Sequence, residues 1–401
     1  MFIRELVFSA VCAAIYISYL AVEYHIITHR ARRIPIRIGI TGTRGKSSVT
    51  RLIASVLREA GFSVLAKTTG SIPVVILPNG QEKEIKRRGV PSILEDKKIL
   101  KAGAKLGVQV LVSELMGIHP ERVHVESTRM LRPHIIVITN VRLDHMSQMG
   151  YSRESIASCF AGSIPERSTV FVLEEEFFPV FKKAAEGMGS RMIVVPKGTF
   201  DDFLAKGIKL PGYEFQENMR LAMAVSGFLG INKEMALNGM SAARQDFGGL
   251  KIWRFKPGAS FRPWYFVSGF AANDPESSRL VIENIKKIKI FAGKKIIGLL
   301  NLRKDRGDRS LQWLRALKEG AFPEFSRLII IGEHASILKR KLESKIGAEI
   351  SAIKSKSPED IMNRILELEN EESILIGLGN IGEAGRLLVN YLEQEGQPYV
   401  F

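Results

Sequence analysis

The stretch Ile34-Pro35-Ile36-Arg37-Ile38-Gly39-Ile40-Thr41-Gly42-Thr43-Arg44-Gly45-Lys46-Ser47-Ser48 decides how this chain folds. Residues 34–40 alternate in part between apolar and other side chains and read as a β-strand, and the apolar spacing from Val49 to Ala60 reads as a helix. Strand, glycine-rich turn and helix form the context that a phosphate-cradling loop requires. Glycine lets backbone N–H groups approach phosphate oxygens, and the helix N-terminus adds the positive end of its dipole. Lys46 reaches the outer phosphates and Ser47 holds Mg²⁺ in such a loop. Thr41, Gly42, Thr43, Arg44, Gly45, Lys46, Ser47 and Ser48 are therefore the candidate nucleotide contacts. The generic pattern wants glycine six positions before the lysine, where this chain has Ile40; its glycines stand at 39, 42 and 45.

Two further strands point chemistry at the same edge. Val108–Val112 is a near-continuous apolar run, as in a strand buried in a parallel sheet, and it leads into Ser113-Glu114-Leu115-Met116. A carboxylate at the C-terminal tip of a parallel strand beside a phosphate loop is placed to hold Mg²⁺, directly or through water. His134–Ile138 is a second such run, followed by Thr139-Asn140-Val141-Arg142-Leu143-Asp144-His145. Singly, Glu114 reads as a solvated or capping residue and His145 as structural. In this order with Lys-Ser, the set reads as a metal–nucleotide site.

The order T-G-T-x-G-K-S, V-S-E, T-N-V-x-x-D-H-M resembles the central ATPase domain of Mur-type ligases, and more closely the ligase subunit of capsule-type poly-γ-glutamate synthases. Ala66-Lys67-Thr68-Thr69-Gly70 and Glu82–Arg87 are similar too, and the resemblance spans essentially the whole chain. It implies that Lys46 and Ser47 bind the triphosphate of ATP and that Glu114 and His145 serve Mg²⁺, with Lys46, Glu114 and His145 as the catalytic set. Asn140 and Asn218 would contact the nucleotide, although Asn218 also reads as a simple helix cap. Lys67, Thr68 and Thr69 are substrate candidates. No lysine is assigned as a carbamylated metal bridge, and the short stretch between the apolar N-terminal segment and the loop disfavours the sugar-nucleotide domain of cell-wall Mur ligases.

Before the loop, Leu6–Val22 is a run of seventeen residues without a charge, at the short end of what spans a bilayer as a helix. Tyr16, Tyr19 and Tyr24 lie toward one end, and His29-Arg30-Ala31-Arg32-Arg33 follow. Basic residues after the apolar run predict a single-pass anchor at the cell membrane with cytoplasmic domains behind it. A buried core helix is the alternative. The formal net charge is +16, which fits a polyanionic partner such as acidic lipid or an acidic product. No nucleic-acid-binding motif accompanies the charge, so nucleic acid is not expected. Two cysteines, Cys12 and Cys159, give neither a disulfide framework nor a metal quartet.

The expected architecture is α/β: a membrane anchor and basic flank over 1–33, a Mur-ligase-like ATP-binding domain over 34–248, and a doubly wound α/β domain over 249–401. The boundary falls where glycines cluster in Arg244–Leu250, a plausible hinge. Beyond it, strand signals at Trp264–Val267, Lys295–Leu300, Leu328–Ile331, Glu349–Ile353 and Ile374–Ile376 alternate with helical ones. Gly377–Gly382 looks like a dinucleotide turn but lacks the following βαβ unit. By the resemblance, Asp274, Arg303, Asp305, Arg306 and Arg309 are candidates for the face that meets ATP and the incoming amino acid, Arg303 for the nucleotide. Read singly, they are a solvated, internally paired charge run. The resemblance implies an ADP-forming ligase that links glutamate through γ-amide bonds via an acyl phosphate, working on a poly-γ-glutamate chain with small membrane subunits of a synthase and export complex. The rival readings are a folate-type polyglutamylating ligase, which would need no anchor, and a membrane-bound ATPase switch or motor.

Overall fold

The computed structural model describes residues 2–70, 72–87, 89–198, 216–255, 263–369 and 371–399. Helix α1 runs over Phe2–Arg32, and the chain then enters strand β1 (Ile36–Thr41) and helix α2 (Lys46–Glu59). The strands that follow are β2 (Val64–Thr68), β3 (Val74–Ile76) and β4 (Glu82–Glu84). After helix α3 (Glu95–Leu106) come β5 (Val110–Glu114), β6 (Ile135–Ile138), β7 (Thr169–Leu173) and β8 (Arg191–Val195). The second half holds β9 (Lys251–Phe255), β10 (Trp264–Ser268), β11 (Lys295–Leu302), β12 (Phe325–Gly332), β13 (Glu349–Ile353), β14 (Ser373–Gly379) and β15 (Gln397–Pro398).

The chain forms two compact units. The first holds residues 1–69, 73–206 and 216–243, and the second holds mainly residues 244–401. In the first, eight strands lie in the order β4-β3-β2-β5-β1-β6-β7-β8. All pairings are parallel except those of the β3–β4 hairpin. Pairing places Ile40 opposite Glu114, so Glu114 is the last residue of β5 rather than part of the loop after it. Apolar runs in β1, β5 and β6 are buried on both faces, as a parallel sheet between helix layers demands. Helix α2 is largely buried along its length. Helix Lys233–Ser241 crosses it so closely that a Cβ on Gly239 would lie 2.5 Å from Val56 Cα.

Helix α1 is one continuous rod. Its N-terminal side chains, Leu6, Phe8, Ile15 and Tyr19 among them, are exposed, and it is long and apolar enough to cross a membrane. The basic flank is helical as well, and Ile27, Thr28 and Ala31 are buried against the first unit. Arg37 secures that end: its guanidinium donates to the carbonyls of Ala31 and Ile34 at 2.7 Å and to those of Leu131 and Arg132 at 2.9–3.1 Å. Five donors on one planar group suit such a bundle of carbonyls. Burial lowers the Arg37 pKa to about 10.

The second unit carries seven strands in the order β13-β12-β11-β14-β10-β9-β15. The five strands from β13 to β10 are parallel, as read from the sequence, and β9 and β15 add an antiparallel edge that the sequence reading lacks. The turn at Gly377–Gly382 closes this sheet. Gly379 sits at φ +79°, and a Cβ there would lie 2.5 Å from the Asn301 carbonyl oxygen. Asn301 and Asn380 then bond reciprocally, N–H of Asn380 to the Asn301 carbonyl and Asn301 Nδ2 to the Asn380 carbonyl at 2.7 Å.

Candidate active site

The loop between β1 and α2 is shaped by two glycines that nothing else can replace. Gly42 has φ +123°, and a Cβ there would fall 2.2 Å from Thr139 Oγ1. Gly45 has φ +78°, and its Cβ would fall 2.3 Å from Asn218 Oδ1. Left-handed backbone and close contact both exclude a side chain. Asn218 is buried in the first turn of helix Gln216–Phe228, against the start of α2.

The two residues after β6 hold the loop. Asn140 Oδ1 accepts from Arg44 N–H at 2.9 Å, its Nδ2 donates to the Arg44 carbonyl at 3.2 Å, and its carbonyl accepts from Thr43 N–H at 3.0 Å. Thr139 Oγ1 donates to the Arg44 carbonyl at 2.6 Å. Arg142 N–H donates to Thr43 Oγ1 at 3.0 Å. Sequence reading takes Asn140 as a nucleotide contact; here both ends of its amide bond the loop backbone. Arg44 is ion-paired with Asp144 at 3.1 Å. Asp144 also accepts from His145 N–H at 2.9 Å, and His145 Nε2 lies 3.8 Å from its carboxylate. His145 itself has φ +48°, an uncommon backbone for a residue with a side chain.

Lys46 opens α2 and folds back over the turn, its ammonium donating to the carbonyls of Gly42 at 2.6 Å and Thr43 at 3.2 Å. Burial pushes its pKa below the ordinary lysine value, against the pull of Glu114. Ser47 Oγ donates to Glu114 Oε2 at 2.6 Å, and Thr69 N–H donates to the same oxygen at 2.7 Å. β1, β2 and β5 thus deliver Ser47, Thr69 and Glu114 to one point. A hydroxyl and a carboxylate side by side are hard oxygen donors of the kind that fits a small divalent cation. Among the described residues no group of three or more His, Cys, Asp or Glu is gathered as a full metal cage. Water and phosphate oxygens would have to complete such a coordination shell.

Behind Glu114 lies a charge cluster of which sequence reading picks out Lys67 alone, as a substrate candidate. Lys67 is fully buried in an ion pair with Asp96, and Ser113 Oγ donates to Asp96 at 3.4 Å. Burial opposes the Lys67 charge, yet Asp96 and Glu126 outweigh it and raise its pKa. Glu126 opens a π-helical turn, Val125–Leu131, and accepts from the N–H groups of Met116 at 3.0 Å and Gly117 at 2.7 Å. Burial, then the neighbouring Asp96 charge, pushes Glu126 up to about 8. Glu176 plays a similar part under the next loop, accepting from Val141 N–H and pairing with Arg142 and Arg153. A lone acid in a helix has no spacing that marks it as a support, so only the folded chain reveals Asp96, Glu126 and Glu176. Thr68 lies buried in β2 beside Lys67.

In the second unit, Asp274 is buried and caps helix Pro275–Lys286, accepting from Ser277 N–H and Ser277 Oγ, both at 2.8 Å. Arg303 pairs with Asp305 at 2.7 Å and Arg306 with Asp308 at 3.1 Å. Arg309 is buried and donates to Asn380 Oδ1 at 2.6 Å.

Residues 40–230 match the Mur ligase middle domain, and residues 255–395 match the poly-gamma-glutamate synthase CapB C-terminal domain. The capsule biosynthesis protein CapB of Bacillus anthracis is 33% identical over 391 residues, spanning 96% of this chain and 82% of its own length. The PGA synthase CapB of Bacillus subtilis is 33% identical over 365 residues, spanning 90% and 91%. Among solved structures, E. coli FolC in complex with DHPP and ADP superposes with TM-score 0.66 at 15% identity, over 92% of both chains. MurF from Acinetobacter baumannii gives TM-score 0.63 at 16% identity, over 92% of this chain and 80% of that one. At such identities these structures carry the fold alone.

Proposed function

The chain belongs to the CapB family of ATP-dependent amide ligases, and from that premise we propose that it extends a glutamate chain through γ-linked amide bonds, activating each carboxylate as an acyl phosphate. One observation carries the reading: Lys46, Ser47 and Glu114 meet at the tip of a glycine-shaped loop, amine, hydroxyl and carboxylate together. Forming an amide from a carboxylate requires a better leaving group than hydroxide. Attack of the carboxylate oxygen on the γ-phosphorus of ATP releases ADP and leaves phosphate on the carboxyl carbon. The amine of the next glutamate then bonds to that carbon, the C–O bond to phosphate breaks, and the amine's proton passes to water.

Lys46 is the residue suited to the first step. Its ammonium donates to two backbone carbonyls, which it can exchange for phosphoryl oxygens to neutralise charge that develops during transfer. Ser47 and Glu114 would hold Mg²⁺, with His145 serving it from the neighbouring strand end. When bound, the cation shields the phosphate oxygens from the incoming carboxylate. Thr139, Asn140 and Asn218 keep the loop in one shape, which lowers the cost of ordering it on each turnover. Asp274, Asp305, Arg306 and Arg309 are proposed for the side that receives the incoming glutamate, and Arg303 for the nucleotide. The excess of positive charge suits an acidic substrate and product, and the apolar α1 suits membrane partner subunits.

The test is ADP release by the full chain in detergent with ATP and Mg²⁺, across the amino acids, with and without a short γ-glutamyl primer. Stimulation by glutamate, lost by roughly 10³-fold in Lys46→Ala, is the expected result. Hydrolysis indifferent to every amino acid, even with membrane partners restored, would favour the switch or motor. Stimulation only with a folate acceptor would favour the folate-type ligase.

A further inference from the structure

Contacts between α1 and α3 fix which edge of the first sheet the apolar part of α1 leaves from. Because α3 precedes the parallel strand β5, it descends from the C-terminal edge of the sheet to the N-terminal edge. At its upper end Asp96 meets Lys67 and Ser113, residues in register on β2 and β5 and one step short of Glu114. The next residue, Lys97, bonds to Glu23 of α1 at 2.5 Å. Toward its lower end, Gly103 backs directly onto Ile34, where a Cβ would lie 2.8 Å from the Ile34 side chain. Beside it Ile36 N–H bonds to the Gln109 carbonyl, and Arg37 holds the end of α1. Helix α1 therefore descends alongside α3, with Glu23 level with Glu114 and Ile34 at the opposite edge.

The residues ahead of Glu23 must then project beyond the edge that carries the phosphate loop. As a helix, Ile3–Val22 is about 30 Å long, the thickness of a hydrocarbon core. Resting on the reading of α1 as a membrane span, we propose that the catalytic edge of the first sheet faces the bilayer, with Lys86, Val90 and Leu94, between β4 and α3, on the surface nearest the lipid headgroups. That segment and the first turn of α3 expose Lys86, Val90, Leu94 and Lys98, apolar and basic side chains together. Such a mixture suits an interface of anionic headgroups. A growing acidic chain would leave the site on the membrane side, within reach of a membrane-bound acceptor or export partner.

α3 supplies a matched pair for the test. Leu94 and Leu106 flank its two ends and are 53% and 52% exposed. They stand roughly 18 Å apart along the helix. The full chain would be reconstituted in nanodiscs containing phosphatidylglycerol and labelled with a thiol-reactive fluorophore at Leu94→Cys or Leu106→Cys, each in a Cys12→Ala background. Cys159 is buried and stays unlabelled. Wild-type chain labelled at the exposed Cys12 reports insertion of α1. With nitroxide on the headgroups, the label at 94 should lose most of its fluorescence and that at 106 should keep it. With nitroxide on the acyl chains, Cys12 should be quenched. Quenching equal at 94 and 106, or stronger at 106, while Cys12 is quenched overturns the orientation. An unquenched Cys12 overturns the membrane reading itself. Should a leucine variant fail to fold, Lys98→Cys and Lys105→Cys, exposed toward the same two ends, give the same contrast.

Discussion

The charges beneath the first unit's loop edge and the second unit's Arg303–Asp305 pair make opposite use of the same chemistry. Lys67 and Asp96 are 0% and 1% exposed and have traded water for each other. Arg303 and Asp305 are 44% and 63% exposed and pair across two residues of one loop. A buried pair survives only if its geometry offsets desolvation, whereas an exposed pair gains little and is easily exchanged for another partner. The first arrangement holds a shape. The second leaves charge free to meet a ligand.

The largest expected effect tests the buried side of that contrast. Lys67→Met strands Asp96 in the interior and should cost roughly 3–5 kcal/mol of stability, read by denaturant unfolding. The double change Lys67→Met with Asp96→Leu should recover most of the loss; if it does not, the cluster is more than an ion pair. Glu114→Gln comes next. It keeps the shape that Ser47 and Thr69 meet but removes the charge, and should lower the ADP-forming rate by about 10²–10³-fold with little change in unfolding. An unaltered rate would remove Glu114 from the machinery.

A smaller effect depends on pH. The Glu126 pKa is raised from 4.5 to about 8 in the folded state, so the native chain holds a proton that the unfolded chain releases. Its stabilising contribution is full below pH 4.5 and is lost as pH rises toward 8, at up to about 1.4 kcal/mol per pH unit. Glu126→Gln should flatten stability across that window. A slope unchanged in the variant assigns the titration elsewhere. The smallest effect belongs to the exposed loop: Arg303→Ala should move stability by no more than about 0.5 kcal/mol. It should raise the KM for ATP while leaving kcat near its value. An unchanged KM would return Arg303 to the solvated surface.

The same contrast explains what the amino-acid sequence discloses. Strand, turn and helix at 34–60 are legible because left-handed glycines at 42 and 45, between periodic segments, have few other uses. Glu114 and the Asn140–His145 run are legible because each ends an apolar strand. What supports them is not, because Thr139, Asn218, Asp96 and Glu126 meet the loop or its neighbours only after β5, β1 and β6 have paired. Strand β9 escapes notice since it pairs antiparallel at the edge of a sheet read as parallel, and two-residue β15 has no period to read. Asp274 could be read as a helix cap from its Asp-Pro start, yet it attracts a functional reading because charge crowds the loop that follows.

The meeting of Gly45 and Asn218 also sets a timetable for biosynthesis. α1 and the loop residues leave the ribosome early. The asparagine that backs the loop is synthesised about 170 residues later, roughly 10 to 30 seconds at ordinary elongation rates. During that interval the nascent chain carries a glycine loop without the residue that packs against it, so the loop is complete only once Asn218 has emerged.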